Sequence, residues 1–66
     1  MDVFLGVDIG SISTKGVIID ETGKIIADSY LETKGNPIDA VKRVILELKN
    51  KISDQNLHIV GIGTTG

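Results

Sequence analysis

The sequence predicts an α/β fold: a three-stranded antiparallel meander, a crossover helix, and a fourth strand parallel to the first, in the sheet order 3-2-1-4. This rests on two periodicities and one rule of handedness. Apolar residues in the first half alternate with the period of two that belongs to strands. Between positions 38 and 52 they recur every three to four residues, the spacing of a helix with one buried face. A helix joining two strands of one sheet crosses over right-handedly and leaves them parallel.

The elements follow in chain order. Residues 3–9 are short, nearly continuous in apolar residues and closed by Gly10, which suits a strand buried on both faces. Val3, Leu5, Val7 and Ile9 share one face, while Phe4, Gly6 and Asp8 share the other. Asp8 therefore emerges at the C-terminal end of a central strand. Ser11 to Ser13 form a turn into a second strand at 14–20, and Glu21-Thr22-Gly23-Lys24 form the next, with Gly23 free to take positive φ. The third strand, 24–32, places Ile25, Ala27 and Leu31 opposite Asp28, Tyr30 and Glu32, as expected of an edge strand with one wet face.

The helix is expected at 37–52, with Ile38, Val41, Val44 or Ile45, Leu48 and Ile52 on its inner face. Asn36 is suited to cap it and Pro37 to its first position. Asp39 and the pair Lys49 and Lys51 complement the two ends of its dipole. A polar connection at 53–56 leads to a fourth strand at 57–63. The far face of strand one and the edge of strand four have nothing in the chain to cover them. The chain therefore reads as the N-terminal piece of a larger domain.

Composition narrows the function classes. The chain has 66 residues, no cysteine and a formal net charge of -2. Neither a disulfide framework nor a thiolate metal site can be built from it, and it carries no basic footprint for nucleic acid. The N-terminus carries Asp2 rather than a cationic segment, and Asp8 interrupts its apolar run, so it reads as neither a signal peptide nor a membrane span, and a cytoplasmic protein is expected.

The chemistry is concentrated in "GVDIGSISTKG", residues 6–16. A Walker A loop and a dinucleotide fingerprint both run into a helix, whereas Lys15 is followed here by the strand Gly16-Val17-Ile18-Ile19. Any phosphates must then be held by a hairpin turn. Successive amides of Gly10 to Thr14 can form an anion-binding concavity, to which the hydroxyls of Ser11, Ser13 and Thr14 add donors. Lys15 brings a point charge for phosphate oxygens. Asp8 would repel phosphate directly, so its useful task is to hold Mg²⁺, usually through water, or to orient a nucleophile. A lone Asp before a Gly-Ser turn is also ordinary turn chemistry. Lys15 taken alone reads as a solvated strand residue. His58, with no second His or Cys nearby, reads as a packed or edge residue.

This motif with its following hairpin resembles the first phosphate motif of the actin, Hsp70 and sugar-kinase ATPase superfamily, whose fold is ribonuclease H-like. The stretch "VDIGSISTKGVIIDETGKIIADSYLETKGNPIDAVK" with the later "GIGTTG" is more closely similar to the N-terminus of the acyl-CoA dehydratase activases, the CoA-substrate-specific enzyme activases related to benzoyl-CoA reductase ATPase subunits. The resemblance implies ATP-driven electron transfer by a homodimer with a bridging [4Fe-4S] cluster that serves a dehydratase or reductase. It implies Asp8 for Mg²⁺ and a nucleotide-phosphate role for Gly10, Ser11, Ile12, Ser13, Thr14 and Lys15. Gly63 and Thr64 would open a second glycine-rich loop near the nucleotide. Cluster cysteines, a second phosphate loop and an adenosine motif are expected beyond Gly66, so the isolated chain is expected to be inactive. Two other readings are a carbohydrate kinase of the same superfamily and a non-enzymatic interaction module. In the module the turn is structural, and the fourth strand's edge is a docking surface.

Overall fold

The computed structural model describes residues 1–52 and 56–65. Most of the polar connection expected at 53–56, and Gly66 at the end of the expected glycine-rich loop, lie outside the described residues. The elements are β1 (Asp2–Ile9), β2 (Ser13–Asp20), β3 (Ile25–Glu32), α1 (Pro37–Lys51) and β4 (His58–Thr65). They form one sheet in the order β3-β2-β1-β4, with β1 antiparallel to β2, β2 antiparallel to β3, and β1 parallel to β4. This is the predicted topology.

The core lies on one face only. Val3, Leu5 and Val7 of β1 and Ile18 of β2 are buried against Val44, Leu48 and Ile52. Each such side chain contributes about 1.5–3 kcal/mol on leaving water. Ala40, Val44 and Leu48 are the buried residues of α1 itself, flanked by the half-buried Val41 and Ile45. Ile38, expected on this face, is 69% exposed, because the helix enters the sheet at Ala40 and its first turn overhangs solvent. Asn36 caps the helix by accepting from the Asp39 amide at 3.2 Å, and Asp39 pairs with Arg43 at 3.0 Å.

The helix comes close because Gly16 lacks a side chain. A Cβ there would stand 2.4 Å from Val44 Cγ1 and 2.9 Å from Leu48 Cδ1. The β2–β3 turn is closed by Asp20, whose Oδ1 accepts from the Thr22 amide, the Thr22 hydroxyl and the Lys24 amide, while Gly23 takes φ +87°.

Two β-bulges depart from simple alternation. Between β2 and β3 the register passes from Ile18↔Ala27 to Ile19↔Ile25, leaving Ile26 as the extra residue. Ile25 is thereby moved off the face of Ala27 and Leu31, where alternation had placed it, and is exposed. Between β1 and β4 the register passes from Val3↔Ile59 to Phe4↔Gly61, so that Val60 is extra. The fourth strand also continues past its expected end at Gly63, because β1 lies beside it as far as the Asp8↔Thr65 pair. No helix among the described residues is long and apolar enough to cross a membrane.

Candidate functional site

The face of the sheet opposite α1 carries Asp8 and Lys15 of the motif. Register aligns them in one row across all four strands: Tyr30 of β3 is the partner of Lys15 of β2, Lys15 of Asp8 of β1, and Asp8 of Thr65 of β4. Neighbouring strands are about 4.8 Å apart, so successive members of the row are within reach of one another. Thr65 Oγ1 donates to Asp8 Oδ1 at 2.9 Å. The carboxylate of β1 and the hydroxyl of β4 are thus tied at the C-terminal ends of two parallel strands, the place where open α/β sheets take ligands.

Beneath this row the next one is nearly bare. Gly6 is the partner of Val17 on one side and of Gly63 on the other. The two glycines floor an open groove of about 400 Å³ walled by Asp8, Lys15, Val17 and Thr65. A Cβ on Gly63 would meet nothing within 4 Å, so the space above it is unfilled.

The β1–β2 turn follows Asp8 and precedes Lys15 at the same end of the sheet, and its Gly10 and Ser11 line a separate hollow with Thr33, Gly35 and Pro37. Gly10 N–H donates to Ser13 C=O at 2.8 Å, so this amide is engaged in closing the hairpin. A Cβ on Gly10 would lie 2.9 Å from that carbonyl oxygen, which is why glycine stands there. Ser11 and Ile12 form the exposed tip, Ile12 being 80% exposed, and Ser13 is half-buried. Thr14 is placed differently from the expectation for its hydroxyl. It is fully buried on the helix side, where its Oγ1 meets Thr33 Oγ1 at 2.9 Å. Of the three hydroxyls expected to face an anion, those of Ser11 and Ser13 remain outside the core.

The expected second loop divides in the same way. Gly63 lies on the groove floor. Thr64 is the partner of Val7, whose side chain is buried toward the helix, so Thr64 stands on the opposite face from Asp8. Thr65, which sequence reasoning did not select, takes the place beside the carboxylate because the Val60 bulge advances β4 by one residue. Thr33 was also missed. It is buried and bonds the turn from the far side, and no local pattern in the sequence announces it. His58 is exposed and lies 3.8 Å from Asp2 at the opposite end of the sheet.

Among the described residues no group of three or more His, Cys, Asp or Glu could cage a metal. A single strand-end carboxylate beside an open groove nonetheless suits Mg²⁺, which keeps most of its waters and takes one or two carboxylates plus phosphate oxygens. With no cysteine, the chain does not suit an iron-sulfur cluster.

No protein-family model matches the chain, and no curated protein matches it. Among solved structures it is similar to the activator of the 2-hydroxyisocaproyl-CoA dehydratase from Clostridium difficile with bound ADPNP, with a TM-score of 0.69 and 28% identity over 92% of this chain. The chain spans 24% of that structure's length.

Proposed function

We propose that the chain is the N-terminal phosphate-binding segment of an ATP-dependent activase, one that uses ATP to drive electron transfer into a CoA-substrate dehydratase or reductase. The observation that carries this is the likeness, along nearly the whole chain, to a dehydratase activator with bound ADPNP. The carboxylate, lysine and hydroxyl row beside a hairpin turn supports it. An activator as neighbour favours this reading over a carbohydrate kinase.

The residues divide the work by charge. Asp8 would hold Mg²⁺ with Thr65 fixing its rotamer, and the ion would neutralise phosphate charge next to the carboxylate. Lys15 faces the phosphates as a cation. The tip of the turn, Ser11 to Ser13, supplies backbone amides, with the hydroxyls of Ser11 and Ser13 beside them, while Gly10 and the buried Thr14 shape the turn from behind. Gly63 leaves room for the nucleotide, and Thr64 continues toward the second loop. Hydrolysis, the cluster, the homodimer, the dehydratase or reductase partner and a cytoplasmic location belong, in this reading, to the whole protein, of which this chain supplies one wall of the nucleotide site.

Titrating Mg·ATP into the chain while following backbone amide resonances tests the reading. Shifts concentrated at Asp8, Ser11 to Lys15 and Thr65 are expected, without turnover. No shift at millimolar nucleotide would overturn the nucleotide reading. A metal-dependent ATPase rate that Asp8→Ala abolishes would overturn the assignment of hydrolysis to residues outside this chain.

A further inference from the structure

Thr33, immediately after β3, grips the β1–β2 turn at two carbonyls. Its Oγ1 donates to Gly10 C=O at 2.8 Å, and its amide donates to Ile12 C=O at 2.8 Å. The side chain is 4% exposed. Because the Thr33 hydroxyl proton goes to Gly10, the contact at 2.9 Å between the two threonine hydroxyls has Thr14 as donor. The order is then Thr14 to Thr33 to Gly10.

A trans peptide points its C=O and its N–H in opposite directions, and no described peptide bond is cis. The Gly10 carbonyl shares its peptide with the Ser11 amide, and the Ile12 carbonyl shares its peptide with the Ser13 amide. Holding both carbonyls toward Thr33 therefore turns the Ser11 and Ser13 N–H groups away from it, as a pair on one side of the turn. Two amides spaced this way are the elements of an anion-binding concavity. Released, the same peptides could rotate and present carbonyl oxygens, which repel phosphate.

We propose that Thr33 is a positioning residue for the phosphate turn: it touches no ligand, and it sets the direction of the Ser11 and Ser13 amides. This rests on the nucleotide reading of the site. Its test has two arms, so that either can fail alone. In the ligand-free arm, Thr33→Val removes the hydroxyl bond to Gly10 while keeping shape, Thr33→Ser retains it, and Thr14→Val removes only the inner bond. The Ser11 amide is expected to shift and exchange faster in Thr33→Val, and to stay close to wild type in the other two. An unchanged Ser11 amide in Thr33→Val overturns the proposal, whether or not nucleotide binds.

In the second arm, the dissociation constant for Mg·ADPNP is measured on the same variants. Thr33→Val is expected to weaken binding about tenfold, the scale of one well-placed hydrogen bond, with Thr33→Ser restoring it. Thr14→Val is expected to remain within about twofold of wild type, since it leaves the grip on the turn intact. Equal weakening in Thr33→Val and Thr14→Val would reduce Thr33 to a packing residue and overturn the proposal. Failure of wild type to bind Mg·ADPNP would overturn the nucleotide reading, and the ligand-free arm still decides Thr33.

Discussion

Thr65 donates its hydroxyl to Asp8 Oδ1 across 2.9 Å, joining residues 57 positions apart in the chain. The bond fixes one rotamer of an exposed carboxylate that would otherwise sample several. Thr65→Val is therefore expected to weaken Mg·ATP binding several-fold, on the order of the 0.5–1.5 kcal/mol of one hydrogen bond. Stability should change by less than about 0.5 kcal/mol, since the site is exposed. Thr64→Val, on the other face, should leave binding unchanged. Calorimetric titration of the two variants separates these outcomes.

Gly63 provides a test of space rather than of bonding. Nothing lies within 4 Å of a Cβ placed there, so Gly63→Ala should fold as well as wild type or slightly better, a strand glycine being entropically unfavourable by about 0.5–1 kcal/mol. The same methyl rises from the groove floor, and nucleotide affinity should fall. Paired urea titration and ligand titration would show stability and binding moving in opposite senses.

Gly16→Ala should behave in the contrary way. The methyl collides with Val44 and Leu48, and the helix must retreat from the sheet, at a cost of about 1–3 kcal/mol. For a chain of this size that is a large part of the total stability. The urea midpoint should drop markedly, with loss of helical signal at lower denaturant.

Ser29 lies beside Gly16 across the β2–β3 pair. Its Oγ is buried with no hydrogen-bond partner among the described residues. An unsatisfied buried hydroxyl costs about 1–3 kcal/mol, so Ser29→Ala should be neutral or stabilising. Thermal denaturation measures it directly.

Asp20 should govern part of the acid sensitivity. The Thr22 hydroxyl, then the Lys24 amide, hold its carboxyl below the ordinary aspartate value with help from the Thr22 amide and the Lys24 charge, while desolvation acts the other way. A carboxylate whose folded pKa is depressed contributes stability that is present above the unfolded value, about 3.9, and is lost as pH falls through the lower folded value. Asp20→Asn keeps an acceptor for the turn and removes the titration. Its stability should accordingly decline less than that of wild type below about pH 4.

Much of the fold was legible because its signals are local or general. Gly23, the Asn36 cap and the change of period at Pro37 each speak through adjacent residues, and the handedness of the crossover then orders the strands. Asp8 was legible through simple alternation from Val3. Thr65 was not, since the register of parallel strands joined across a helix is written in no turn, and the Val60 bulge changes it by one. Without that bulge Phe4 would face Val60, Gly6 would face Ile62, and Asp8 would face Thr64. The inward turn of Thr14 was hidden by the run Val17-Ile18-Ile19, which is apolar on both faces and gives no parity. Thr33 was invisible because its partners, Gly10 and Ile12, are reached only after two hairpins close.

The two halves of the polar row also differ in when they can form. β1, β2 and β3 pair through short turns, whereas β4 reaches β1 only after the helix and its connections have closed the longest loop in the chain. Long-range parallel pairing is slow, because the entropy of loop closure is lost before any contact compensates it. The bond between Asp8 and Thr65 is therefore expected to form after the meander has closed. A ligand that engages both will slow the detachment of β4 more than the opening of the meander, and will appear in kinetics chiefly as a brake on unfolding.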